Sequence, residues 1–136
     1  MKDPIDENFS IINLNSFRDS RGSLIAIEDS PFKINRIYYI YGNNKNAIRG
    51  KHAHKKLKQL LISVSGSCKV ILDDGNSSKE IILNSPEIAL FIKKPLWREI
   101  KEITTDCVLL CLASEKYNPN DYIYGYEEFI KNKNNY

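Results

Sequence analysis

The chain has 136 residues, of which 42% are hydrophobic and 27% are charged, and its formal net charge is +3. These values are typical of a globular protein, so we expect a single domain over residues 1–136. The lysines are scattered and form no basic stripe with interleaved aromatic residues, which argues against binding of nucleic acid. No apolar run has the length of a transmembrane helix, and residues 1–8 are polar and acidic, unlike a secretory signal. The sequence therefore predicts a cytoplasmic protein with no membrane partner.

Short runs rich in Ile, Leu, Val and Tyr, separated by turn residues, dominate the chain. They predict strands over 10–14, 24–28, 34–41, 58–65, 67–73, 79–83, 88–92, 98–103 and 107–113. Residues 20–23 and 74–76 predict turns, and only 126–132 reads as a helix, after a turn at 118–121. Many short strands at close spacing predict an all-β sandwich or barrel, with a short C-terminal helix.

The only two histidines of the chain, His52 and His54, stand two residues apart. Alternate side chains of a strand point to one face, so both imidazoles are predicted to enter the same cavity. With Gln59 and Gly66, this spacing resembles the first motif of metal-binding cupins, in which an acid stands in place of the glutamine. Where a second cupin motif normally supplies a third histidine, this chain has Arg98.

This set of side chains predicts proton transfer rather than metal chemistry. A divalent ion needs three or four neutral or anionic donors, whereas the chain offers two imidazoles and one amide. The permanent charge of Arg98 would repel a metal and attract an anion, so we expect no metal and no cofactor. Free imidazoles, with a pKa of about 6.5, suit proton abstraction beside a carbonyl group. Packing of both histidines in a barrel, with satisfied hydrogen bonds, is the alternative.

Five segments closely resemble the nucleotide-sugar 3,4-ketoisomerases, small cupins that act on dTDP-4-keto-6-deoxy-glucose; they are residues 20–24, 36–40, 49–56, 70–75 and 112–114. The resemblance implies a cupin jelly roll without metal or cofactor. It also implies a homodimer in which the first strands are exchanged between subunits. The carbonyl of the sugar would move from C4 to C3. The product would then pass to a 3-aminotransferase and an acetyltransferase that serve surface glycans such as the O-antigen of lipopolysaccharide.

The same resemblance implies roles for individual residues. His52 matches the base that removes the C3 proton, and His54 matches the residue that relays protons between the C3 and C4 oxygens of an enediol. The predicted substrate-binding residues are Arg21, Arg36, Tyr38, Arg49, Gln59, Trp97 and Arg98. Guanidinium groups suit the phosphate oxygens of such a substrate, although no arginine is assigned to a particular phosphate.

Three of these residues carry further expectations. Gln59 is expected to hydrogen-bond one imidazole and fix its tautomer. Trp97 either stacks on the base or sugar of the substrate or packs in the core. Arg21 and Arg98 together match neither the galacto nor the gluco pattern of the family, so the configuration at C4 of the product stays open.

Three other functions remain open on the residues alone. A 3,5-epimerase of the same substrate uses related chemistry in a cupin, but it typically pairs a histidine with an acid. A non-catalytic sugar-nucleotide binding module would bind the substrate without turnover. A metal-dependent dioxygenase would contain stoichiometric iron or nickel.

Overall fold

The structure, a computed structural model, describes residues 3–136, and its main elements are two five-stranded antiparallel sheets. Strands are numbered along the chain. The first sheet has the order β1 (Phe9–Asn13), β9 (Ile88–Ile92), β6 (Gln59–Ser65), β11 (Val108–Ala113) and β4 (Arg36–Ile40). The second has the order β12 (Tyr122–Ile123), β5 (Arg49–His54), β10 (Trp97–Lys101), β7 (Cys68–Asp73) and β8 (Ser78–Leu83).

The remaining elements are short. β2 (Phe17–Asp19) and β3 (Gly22–Leu24) form a separate hairpin, and α1 (Tyr126–Asn132) follows β12. Single turns of 3₁₀ helix cover Pro4–Glu7, Pro119–Asp121 and Lys133–Asn135. The prediction of an all-β jelly roll with a short C-terminal helix is confirmed. No helix in the described part of the chain is long and apolar enough to cross a membrane.

The strand predicted over 24–28 is the clearest difference from the sequence-based elements. The structure ends β3 at Leu24, and the residues that follow are not in a strand. Ile27 instead packs against the outer face of the first sheet, beside Leu60 and Ile62. The apolar pattern of this segment therefore comes from burial against a sheet rather than from pairing within one.

The core lies between the two sheets. Inward-facing Leu61 and Leu109 of the first sheet pack with Val70 and Leu72 of the second in one buried cluster. Outward-facing side chains of β6 are also buried, because the loop that contains Phe32 covers them. Burial on both faces explains why β6 reads as a continuous apolar run rather than an alternating one.

Helix α1 covers the outer face of the second sheet. Phe129 is 1% exposed and packs with Ala53 of β5, Trp97 of β10 and Ile123 of β12. Neighbouring positions on these strands face the other way, into the space between the sheets. The helix thus helps to hold in place the strands that carry the histidines.

We predict that alanine at Gly66 costs more stability than alanine at Gly42. Both glycines have left-handed φ values, +65° and +61°, so each substitution costs about 1–2 kcal/mol of backbone strain. At Gly42 a new Cβ meets nothing within 4 Å, whereas at Gly66 it would lie 2.7 Å from the Cα of Cys107. This overlap adds about 1–3 kcal/mol for Gly66→Ala. Urea unfolding measures both losses, and equal losses would contradict the described packing around Gly66.

Candidate active site

A cavity of about 190 Å³ lies between the two sheets, at the end where polar side chains replace the apolar core. Inward-facing positions of β4, β5, β6, β10 and β12 line it. The polar lining residues are Arg36, Tyr38, Arg49, His52, Gln59, Arg98 and Tyr122. Five of the seven predicted substrate-binding residues and the predicted base therefore lie around a single cavity.

A backbone bulge positions His52. Arg98 pairs with His52 and Glu99 pairs with Gly50, so Lys51 is an extra residue in β5. Gly50 and Lys51 have positive φ values of 82° and 55°. A Cβ on Gly50 would lie only 2.9 Å from the carbonyl oxygen of Arg98, so this position requires glycine.

The bulge also fixes the tautomer of His52. Its Nδ1 lies 2.9 Å from the carbonyl oxygen of Gly50. A carbonyl oxygen only accepts hydrogen bonds, so Nδ1 carries the proton and donates it. In the neutral ring, Nε2 then keeps its lone pair. A histidine at the cavity wall with a free Nε2 is arranged to act as a base.

His54 lies one layer deeper than His52 and is 1% exposed. Its ring centre is 4.8 Å from that of His52, with perpendicular rings, and 4.3 Å from that of Tyr122. His52 and Tyr122 line the cavity, so His54 stands directly behind its wall. The structure thus brings the two histidines together, as the spacing predicts, but at different depths.

The sequence-based analysis expects Gln59 as the partner of one imidazole, and the structure shows a different partner for His54. Nδ1 of His54 lies 3.1 Å from Oδ2 of Asp121, a carboxylate that is itself buried. Asp121 belongs to a segment that the sequence predicts only as a turn. The sequence does contain one signal for this contact. Asp121 is an acid directly before the aromatic residues 122 and 124, and this segment pairs with β5.

Arg98 places a buried positive charge beside the histidines. Its side chain is 2% exposed; Nη1 donates to Oε1 of Gln59, and Nη2 donates to the carbonyl oxygen of Leu96 at 3.2 Å. Within residues 3–136, no carboxylate oxygen lies within 4 Å of this guanidinium, and its buried Nε has no hydrogen-bond partner. Burial lowers the pKa of Arg98 to about 10, so it is charged at neutral pH. A buried charge without a counter-ion favours binding of an anion.

Gln59 does not hydrogen-bond a histidine, contrary to the sequence-based expectation. Its carbonyl accepts from Arg98, and its amide nitrogen donates to the hydroxyl of Tyr38 at 2.9 Å. Burial raises the pKa of Tyr38, so its hydroxyl is protonated at neutral pH. The backbone of Gly50 and the carboxylate of Asp121 hold the two imidazoles instead.

Arg36 and Arg49 add further positive charge around the cavity. The guanidinium of Arg36 lies 4.5 Å from the ring centre of Tyr38 and 5.4 Å from that of Tyr117, distances typical of cation–π contacts. Its Nη1 also donates to the hydroxyl of Tyr122 at 3.5 Å. Arg49 is exposed at the cavity wall. Both groups can bind an anion that extends out of the cavity.

Trp97 and Arg21 lie outside this cavity. Trp97 faces the opposite side of β10, packs on Phe129, and donates from Nε1 to Glu99 at 3.1 Å. Of its two expected roles, the structure shows packing in the core. The side chain of Arg21 is 88% exposed on the β2–β3 hairpin, where it forms an ion pair with Asp19.

Tyrosines, rather than Trp97, supply the aromatic rings at the cavity wall. The ring of Tyr122 stacks with that of Tyr124 at 5.5 Å and lies 5.7 Å from that of Tyr117. Tyr117 and Tyr124 are 59% and 63% exposed, so this aromatic cluster continues from the cavity wall to the surface.

Both imidazoles are neutral at neutral pH. Burial, followed by the charge of Arg98, lowers the pKa of His52 from 6.5 to about 4. The same two causes lower the pKa of His54 to about 2. In the described part of the chain, no three His, Cys, Asp or Glu side chains are grouped as metal ligands. The fold and the site together define a cupin-type jelly roll with two neutral imidazoles beside a buried cation.

Comparisons with known proteins agree with this class. The family described as "WxcM-like, C-terminal" (FdtA) matches residues 7–134. The TDP-4-oxo-6-deoxy-alpha-D-glucose-3,4-oxoisomerase of Aneurinibacillus thermoaerophilus is 48% identical over 89% of both chains. The chain belongs to this family of sugar-nucleotide 3,4-ketoisomerases.

Solved structures support the same assignment. A 3,4-ketoisomerase from Helicobacter canadensis is 48% identical, with a TM-score of 0.90 over 93% of this chain and 98% of the other. The sugar 3,4-ketoisomerase of Thermoanaerobacterium thermosaccharolyticum, in complex with TDP, is 42% identical, with a TM-score of 0.91 over 94% and 96%. A variant of that enzyme was solved with TDP-4-keto-6-deoxyglucose. The predicted family, fold and isomerase class are confirmed, and they favour the ketoisomerase over the 3,5-epimerase.

We predict that neither histidine titrates near its ordinary pKa of 6.5. With a pKa near 4, His52 is neutral at pH 5 in the folded protein, whereas the unfolded chain binds a proton below about pH 6.5. The free energy of unfolding therefore falls as the pH is lowered from 6.5 towards 4. NMR of the two Cε1–H signals measures the folded titration, with the urea-unfolded chain as control. Midpoints near 6.5 in both states would contradict the buried site.

Proposed function

We propose that this chain converts dTDP-4-keto-6-deoxy-D-glucose into a dTDP-3-keto-6-deoxyhexose. The observation that carries the proposal is the free Nε2 of His52 at the cavity wall, beside the buried guanidinium of Arg98. The relative from Aneurinibacillus thermoaerophilus and the bound Thermoanaerobacterium thermosaccharolyticum variant support the choice of sugar.

The proposed reaction moves a carbonyl without adding or removing atoms. Nε2 of His52 takes the proton from C3, the electron pair forms a C3–C4 double bond, and the C4 oxygen becomes an enediolate. Arg98 stabilises this negative charge, because a fixed cation in a dry cavity acts more strongly than one in water. The C3 hydroxyl then passes its proton through His54 to the C4 oxygen, and C4 gains a proton from protonated His52, so C3 is oxidised and C4 is reduced by the same two electrons.

His54 is the proposed relay between the C3 and C4 oxygens. Its Nε2 is buried and has no hydrogen-bond partner among the described residues, so it can accept a proton from a substrate hydroxyl. That contact requires the sugar to press between the rings of His52 and Tyr122, which line the cavity in front of His54.

The size of the cavity divides the substrate into two parts. A volume of about 190 Å³ is smaller than the roughly 300–1,000 Å³ of pockets that enclose drug-sized ligands. We propose that the hexose lies inside, against His52 and Arg98, and that the diphosphate lies outside. Arg36 and Arg49 then bind phosphate oxygens, and the exposed rings of Tyr117 and Tyr124 offer a stacking surface to the base.

We also propose that two copies of the chain pair through the N-terminal hairpin. The hairpin carries exposed Phe17 and Leu24, 66% and 61% accessible, and pairs only within itself in residues 3–136. Strand β4 ends the first sheet, so one of its sides is free, and Ile37 and Tyr39 are exposed on it. Free strand edges with apolar side chains are sites for pairing with another strand. The hairpin of a second copy would supply the strand that pairs with the free edge of β4.

Pairing in which the hairpin crosses to the second copy would also account for Arg21. This residue does not line the cavity of its own chain. A contact between Arg21 and the substrate therefore requires the hairpin to reach the cavity of a second copy. The single domain over 1–136 would then be one half of a homodimer with two composite sites.

We predict that incubation with dTDP-4-keto-6-deoxy-glucose in deuterated water gives a product with its carbonyl at C3 and deuterium at C4. His52→Asn lowers kcat by about 10²–10⁴-fold, the usual contribution of a positioned base. Exposed Lys55→Asn is the control and retains activity. Product NMR decides: a carbonyl that stays at C4 indicates epimerisation, and binding without turnover indicates a binding module. Full turnover by His52→Asn would exclude it as the base.

A separate prediction concerns the oligomer. Light scattering after gel filtration should give twice the 15.7 kDa chain mass, and Phe17→Ser with Leu24→Ser should shift the protein towards monomer. Ile82→Ser is the matched control, because Ile82 is 59% exposed on a strand of the other sheet. A wild-type monomer at micromolar concentration would overturn the proposed dimer.

A further inference from the structure

Asp121 is held in place by hydrogen bonds from three backbone N–H groups. Its Oδ1 accepts from the backbone N–H of Lys56 at 2.8 Å, and its Oδ2 accepts from the backbone N–H of Leu57 at 3.3 Å. Its own carbonyl oxygen accepts from the backbone N–H of Lys55 at 3.0 Å. Two backbone donors thus fix the carboxylate beside the loop that follows β5, and Oδ2 also faces Nδ1 of His54.

This arrangement determines where the proton of His54 lies. An ionised carboxylate is an acceptor only, so the contact at 3.1 Å requires Nδ1 of His54 to be the donor. The neutral ring then carries its lone pair on Nε2, the nitrogen that has no partner in the described residues. Besides Asp121, the rings of His52 and Tyr122 contact this ring, and the charges of Arg98 and Arg36 act on it.

We propose that Asp121 is a positioning residue for the isomerisation, which holds His54 as the Nδ1–H tautomer so that Nε2 can accept a proton. The inference rests on the proposed relay role of His54. It goes beyond the assignment of the two histidines, because it makes a residue 67 positions away in sequence necessary for the relay.

The substitution Asp121→Asn tests the tautomer with little change in shape. The amide carbonyl oxygen can still accept from the N–H of Lys56 at 2.8 Å, the shorter of the two backbone bonds, which leaves the side-chain NH₂ facing His54 and the N–H of Leu57. An NH₂ group donates, so Nδ1 must now accept, and the proton moves to Nε2. Two donors would otherwise face each other in a buried site. Asp121→Asn therefore converts the free nitrogen of His54 from an acceptor into a donor.

The first measurement uses the free protein and no sugar. Long-range ¹H–¹⁵N NMR distinguishes a protonated from an unprotonated ring nitrogen, and the His52→Asn background leaves His54 as the only histidine. We expect protonated Nδ1 in the chain that retains Asp121 and protonated Nε2 in the Asp121→Asn variant. Protonated Nε2 in the chain that retains Asp121 overturns the proposal, whatever the fate of the variant.

The second measurement uses the otherwise native enzyme. We expect Asp121→Asn to lower kcat by about 10²–10⁴-fold and to change KM by less than about fivefold, as for a triad aspartate whose loss leaves the wrong tautomer. Asp73→Asn is the matched control, because Asp73 also accepts from a backbone N–H and from the hydroxyl of Tyr126 but contacts no histidine. Native kcat in Asp121→Asn overturns the positioning role.

The two measurements separate this inference from the proposed function. If the wild-type protein does not isomerise the sugar, the proposed function fails, and the role of Asp121 in the reaction fails with it. If the wild-type protein is active but the tautomer of His54 does not change in Asp121→Asn, only the inference about Asp121 fails.

Discussion

The buried charge of Arg98 is the constraint on which the rest of the site depends. A guanidinium that is 2% exposed, with an amide and a carbonyl as its partners, is costly in an apolar sandwich. It orders Gln59 and through it Tyr38, and, together with burial, which is the larger cause, it lowers the pKa of both histidines. The positive charge of the cavity therefore has no counter-ion among the described residues, which favours binding of an anion.

Backbone features place the remaining groups around that charge. The bulge at Gly50 and Lys51 directs a carbonyl oxygen to Nδ1 of His52, and the short pairing of β12 with β5 brings Asp121 to Nδ1 of His54. In both cases the partner fixes the tautomer while the other ring nitrogen keeps its lone pair. The two imidazoles thus become equivalent in protonation but differ in depth and in the kind of partner.

Local pattern predicts much of this site, and strand alternation explains one expectation that the structure does not meet. Arg36 and Tyr38, or His52 and His54, share a face because they are two residues apart, and the structure agrees. Trp97 and Arg98 are adjacent on one strand, so they cannot both face the cavity. Placing Arg98 inside already sends Trp97 to the other face, where α1 covers it.

The contribution of Asp121 and Tyr122 could not be predicted in the same way. They lie 67 and 68 positions after His54, and no periodicity within either segment shows that the two will pair. Pairing of β12 with β5 depends on the path of the chain after β11, which is a property of the whole fold. The tautomer of His54 is thus set by tertiary structure, although the histidine itself is evident from the sequence.

The low pKa values raise a question about the base, since a group with a pKa near 4 is a weak base towards a C–H bond. Burial and the charge of Arg98 both weaken the base, and the same cation stabilises the charge that the reaction creates. An enediolate beside Arg98 gains that attraction only as the proton leaves C3, whereas repulsion of the imidazolium is reduced by the new negative charge. The protonated imidazole is then a strong acid, which favours donation of a proton to C4 once its ring N–H has exchanged with solvent. A site built in this way suits a reaction that ends with the same number of protons on the substrate as it began.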